Sequence, residues 1–157
     1  MPLIVGNLLT DPAATSFISL ADAEAYLTQE GAGQGDNTPI GRWFTSSSST
    51  KEATLVRASR WLAVSLPWAA VPLVEADLAR VGAVTARLAV DALEGDLWAA
   101  EAIGKQAKRY KAGSVEIEYA DAGRVSGANA GGKRFPWVYP MLRGLLTDAS
   151  QRKVVRA

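Results

Sequence analysis

Apolar positions recur at helical spacing in three stretches and at a spacing of two in one. In the first stretch, Leu20, Ala23 and Leu27 share a face, with Tyr26 beside them. Ser19 stands where an N-cap is needed, with Asp22 three residues on as a short capping box. Asp22 and Glu24 fall in the first turn, where the helix dipole favours acids, and Gly31 stops the helix. A second helix is expected from a Ser49/Thr50 cap to Leu66, with Leu55, Ala58, Leu62 and Leu66 on one face and Trp61 widening it. Pro67 ends it, and Pro72 marks a tight connection. The third helix is expected over 74–93. Leu78, Val81, Thr85, Leu88 and Ala92 mark its face, alanines allow close packing, and Gly95 sits at its C-terminal cap. Asp96-Leu97-Trp98 then starts a shorter helical piece to about residue 103.

From Lys105 the period changes to two. Tyr110 and Ala112 alternate with Arg109 and Lys111. After an Ala-Gly turn, Val115, Ile117 and Tyr119 alternate with Glu116 and Glu118, which predicts a β-hairpin. An isolated ribbon is marginal in water, so it must lean on the body or a partner. Residues 122–134 hold Gly, Ser, Asn and Ala with Val125 as the one large apolar residue, the composition of a flexible loop. A last helix opens at Phe135-Pro136, with Val138, Met141, Leu142 and Leu145 apolar and Pro140 in its first turn. Two segments carry no such period. Residues 3–9 read as a short strand or a packed arm ended by Thr10-Asp11-Pro12, and residues 31–50 read as a loop pinned by Trp43 and Phe44. The fold class expected is therefore mainly α: a small helical bundle (1–104) with a projecting β-hairpin (105–121), a flexible loop and a C-terminal anchor helix with a basic tail (122–157). Together these make one domain with an extended arm.

Composition removes several kinds of chemistry. The 157 residues contain neither cysteine nor histidine. That excludes a disulfide framework, a thiolate zinc site, a Cys nucleophile and the Ser-His-Asp triad. No acid cluster has metal-ligand spacing, so neither a metal, a cofactor nor an enzymatic activity is expected. No apolar run approaches a membrane span, and the start lacks the charged region and cleavage site of a signal peptide, so a cytosol-like compartment is expected.

Charge changes the picture more. Residues 105–157 carry 11 of the 17 Lys and Arg but only four acids, whereas residues 1–104 carry six basic and 12 acidic side chains. The net +1 thus hides a +7 segment and a −6 body. Such asymmetry suits a polyanion partner, or a second copy meeting acidic face on basic face.

Two motifs imitate phosphate loops. Gly127 to Lys133 matches GxxxxGK, but Arg134 stands where Ser or Thr should bind magnesium and Phe135-Pro136 interrupts the helix. The glycines at 31, 33 and 35 lack a preceding strand. Glu116 and Glu118 are better explained by cross-strand pairing with Lys and Arg than as a catalytic pair. Lys105, Lys108, Arg109, Tyr110 and Lys111 mix basic and aromatic side chains, which suits contact with DNA or with a neighbouring subunit. Trp43 and Trp61 read as core. Trp137 reads equally as an anchor in a partner's pocket or as packing on its own body.

The ordered segments SFISLADAEAYL, KEATLVRASRWL, AVTARLAVDAL, AGSVEIEYAD and FPWVYPMLRGLL, across most of residues 16–146, resemble the head-tail connector (adaptor, or head-completion) proteins of tailed bacteriophages. That family is also labelled DnaT-like single-stranded-DNA-binding. The chain departs from it at Pro140 and in the Ser-rich insert at 45–50. The resemblance implies a structural neck protein in the virion, assembled in the host cytoplasm. It would form a ring, commonly of twelve neighbouring copies, under the portal protein, extending the channel through which DNA passes. A downstream neck or tail protein would bind below, and no membrane is involved. By position, Phe135, Trp137, Leu142, Arg143, Leu145 and Leu146 would dock on the portal, and removing residues 124–157 should leave a folded monomer. The alternative is a single-stranded-DNA-binding replication accessory protein.

Overall fold

The computed structural model describes residues 3–31, 37–69, 72–98, 109–112, 115–118 and 135–147. Its described elements are mainly helical: α1 (Leu20–Gln29), α2 (Pro39–Thr45), α3 (Ser48–Ser65), α4 (Glu75–Glu94) and a short α5 (Val138–Met141), with β1 (Arg109–Ala112) and β2 (Val115–Glu118) between α4 and α5.

α4 is the axis. From Val81 to Ala92 it is buried on nearly every side, because α1, α2, α3 and α5 all pack on it. Its small residues make that possible. A methyl group at Gly82 would stand 3.4 Å from the Ile18 side chain, already ordinary contact distance. The one buried polar residue in this run, Thr85, donates its hydroxyl proton to Val81 O at 2.8 Å, so its donor is paired. Between α4 and its neighbours lie Leu27, Leu55, Leu62, Val84 and Leu88, each fully buried. The sequence places Asp77 in the first turn of α4, and its carboxylate accepts from the Val74 N–H at 3.4 Å.

The expected cap of α1 is present: Ser19 Oγ accepts from Asp22 N at 3.1 Å and donates to Asp22 Oδ2 at 2.6 Å. Gly31, at φ +86°, turns the chain out of the helix, a conformation that favours glycine. The arm before α1 is packed rather than a full strand. Val5 and Ser16 form a single parallel bridge, and Thr15 Oγ1 accepts from Ile4 N at 2.8 Å. Ser16 and Ser59, both buried, then hold the arm to α3, with Phe17 N donating to Ser59 Oγ at 3.1 Å.

The segment read as a loop over 31–50 contains α2. Thr38 caps it through Gly41 N, and Pro39 sits in its first turn, where a missing N–H costs nothing. α3 begins accordingly earlier than expected, with Ser47 as its N-cap. Trp43 is fully buried and donates its indole N–H to Thr54 Oγ1 at 3.0 Å. Lys51 closes this corner. Its ammonium lies 2.9 Å from Glu24 Oε1 and 5.3 Å from the Trp43 ring centre.

β1 and β2 pair antiparallel, with Arg109 opposite Glu118 and Lys111 opposite Glu116. The projection of the expected hairpin, the loop at 122–134, the tail after 147 and the helical piece beyond Trp98 lie outside the described residues.

Residues 135–147 differ most from expectation. Their apolar face is directed into the chain's own core. Val138 and Leu142 are fully buried, and Phe135 and Leu145 nearly so. Phe135 meets Trp61 edge-on, ring centres 5.2 Å apart. Backbone bonds fasten the far end: Ala69 N donates to Leu145 O at 3.0 Å, Thr147 N to Pro67 O at 2.8 Å, and Trp68 bridges Leu146. The regular helix lasts only four residues before Gly144, at φ +86°, turns the chain back. The physical reason for the difference is that Trp61 and α4 border an apolar groove in which this apolar segment of the chain packs, Phe135 on the Trp61 ring and α5 on α4.

Candidate nucleic-acid interface

Where α4 faces solvent, charged residues recur every seven positions: Arg80, Arg87 and Glu94. Seven residues are two turns, about 10 Å of rise, so the three form one row. Each reaches a different element. Arg80 Nη2 donates to Met141 O at 2.9 Å and to Arg143 O at 3.1 Å, capping carbonyls at the end of α5. Arg87 Nη1 lies 2.8 Å from Glu30 Oε2, at the end of α1. Glu94 takes a two-point contact from Arg42 of α2, at 2.9 and 3.0 Å. That contact raises the already high pKa of Arg42.

Arg80 and Arg87 frame a basic and aromatic surface with the terminal segment. The Arg87 guanidinium sits 5.3 Å from the centre of the half-buried Trp137 ring. Glu30 carries a second bond, from the Tyr26 hydroxyl at 2.7 Å. Burial first, then this hydrogen bond and the charge of Glu30, push the Tyr26 pKa up from 10.0 to about 12, so the phenol stays a donor throughout the ordinary pH range. Arg143 is exposed, and its backbone adjoins the Arg80 head group. The surface offers guanidinium donors beside an aromatic ring, which can hold phosphates and support a stacked base. Among the described residues no group of acids could hold a metal ion.

Of the residues expected at a portal joint, Phe135, Leu142 and Leu145 are buried within the chain itself. Trp137 and Leu146 are half-buried, and Arg143 is exposed. Of those expected at DNA or a neighbouring subunit, Lys105 and Lys108 lie outside the described residues. Arg109, Tyr110 and Lys111 occupy β1, opposite Glu118, Ile117 and Glu116. The sequence reading did not single out Arg80 and Arg87. Their seven-residue spacing on the polar side of α4 was the available signal.

A family model described as "Putative DnaT-like ssDNA binding protein" matches residues 79–157, half of the chain. Compared with curated proteins and with solved structures, the chain matches none.

Proposed function

The chain belongs to this DnaT-like family, and we propose on that premise that it holds single-stranded DNA along its basic half without reading base sequence. One observation carries the reading. The matched residues 79–157 contain 13 of the 17 basic side chains against eight of the 16 acidic ones, net +5, while residues 1–78 are net −4. Arg80, Arg87 and Arg143 with Trp137 would supply part of that surface, and Lys105, Lys108, Arg109, Tyr110 and Lys111 are further candidates within the same matched sequence. Phosphates would exchange their condensed cations for guanidinium groups, and bases would stack on aromatic faces. The expected behaviour is binding that weakens as salt rises.

Fluorescence anisotropy of a labelled oligothymidylate, titrated at several salt concentrations, tests this. Each phosphate contact contributes about −0.7 to the slope of log K against log salt for a single strand. Arg143→Ala should therefore flatten the slope by about that amount, and Lys108→Ala with Arg109→Ala by about twice it. No change in anisotropy at low salt would overturn the reading.

The opposite charges of the two halves also favour a second reading, the ring-forming neck protein of a phage particle. Its ring contacts would join the acidic surface of one copy to the basic surface of the next. Its joint with a portal would use Trp137, Arg143 and Leu146, since Phe135, Leu142 and Leu145 are enclosed. Light scattering with and without purified portal distinguishes the two: a stoichiometric ring on the portal supports the second reading, and an unchanged mass removes it.

A further inference from the structure

We infer that the Arg87 guanidinium and the Tyr26 hydroxyl form a phosphate subsite for single-stranded DNA, and that the Glu30 carboxylate fills this subsite until DNA displaces it. The inference rests on the DNA-binding reading above and adds the regulation of its surface by one acidic side chain.

The geometry is that of an occupied anion site. Glu30 presents one oxygen to Arg87 Nη1 at 2.8 Å and the other to Tyr26 OH at 2.7 Å. A phosphate diester offers the same pair of acceptor oxygens to the same two donors. Trp137 lies 5.3 Å from Arg87 and steadies the guanidinium whichever anion it holds. The raised pKa of the phenol keeps Tyr26 a donor to either.

Glu30 is also poorly placed for its own helix. It is the C-cap residue of α1, whose last turn contains no basic side chain. A carboxylate there faces the negative end of the helix dipole, which disfavours it, so its position depends on Arg87 and Tyr26. Arg87 remains about half exposed, at 47% of its side-chain surface, so an incoming strand can reach it. Glu94 is a useful contrast. It holds Arg42 in a two-point contact on the same row of α4, and among the described residues no tyrosine hydroxyl donates to it.

The test compares Glu30→Gln with wild type in the oligothymidylate titration, using Glu94→Gln as the control for simple loss of a negative charge. Glu30→Gln should tighten binding about three- to tenfold, the scale of one displaced charge-assisted contact, and Glu94→Gln should change it by less than about twofold. The gain must run through the arginine, so Arg87→Gln and the Arg87→Gln, Glu30→Gln double variant should bind alike. Near-ultraviolet circular dichroism checks that each variant is folded. If wild type binds and Glu30→Gln is no tighter, or no tighter than Glu94→Gln, the subsite inference is overturned and the DNA-binding reading stands. If neither protein binds at low salt, both fall.

Discussion

The guanidinium of Arg87 lies 5.3 Å from the ring centre of Trp137 while the same group pairs with Glu30 at 2.8 Å. One side chain of α4 therefore joins the end of α1 to the start of the terminal segment. Trp137 also meets Phe135, ring centres 6.5 Å apart. Trp137→Ala should lower stability by about 2 kcal/mol, less than a fully buried tryptophan because the residue is partly exposed. Trp137→Phe, which keeps an aromatic face for Arg87, should recover most of that loss. Urea unfolding of the three proteins checks the order.

Leu142 is fully enclosed, so its removal creates a cavity in the core. Leu142→Ala should cost roughly 2–5 kcal/mol in urea unfolding. The same burial bears on truncation. Removing residues 124–157 would strip Phe135 from Trp61 and expose the groove that Val138, Leu142 and Leu145 fill. The shortened chain should lack a cooperative thermal transition. A folded monomer, the outcome expected if the segment were only an anchor for a partner, would contradict this.

Tyr26 gives a pH dependence with a definite sign. Its pKa in the folded protein is raised to about 12 from the ordinary 10.0, by burial first and then by Glu30. The fold therefore favours the protonated phenol. That contribution is fully present below pH 10 and is lost as pH rises through about 12. Because the residue is only partly buried, the effect on stability is small. Phenolate absorbance should show a late ionisation step, and Tyr26→Phe should remove it.

The helices with a cap residue and a regular stripe were readable from the sequence. Ser19 with Asp22 located α1, and Leu55, Ala58 and Leu62 located α3, because these signals are local and depend on few competing interactions. α2 was hidden because Thr38-Pro39 stands among Gly, Asn and Ser residues that read as a loop, and seven residues are too few to show a period. The terminal segment is legible as an apolar face, but not its burial in the chain's own core. Val138, Leu142 and Leu145 mark an apolar face, yet spacing cannot say whether that face covers its own body or another protein. Arg80 and Arg87 were missed because their partners are 57 to 63 residues distant in sequence. Nothing local distinguishes an arginine that clasps a remote carbonyl from one on a solvated face.

The edge-on pair of Trp61 and Phe135 sets an order of events during synthesis. The two residues are 74 positions apart, so at about 5–20 residues per second the ribosome delivers Phe135 roughly 4–15 s after Trp61. Through that interval α3 and α4 can meet, but the groove beside Trp61 has no lining from its own chain. The nascent protein therefore passes through a stage with exposed aromatic surface, and a chaperone that grips such surface would find its moment there.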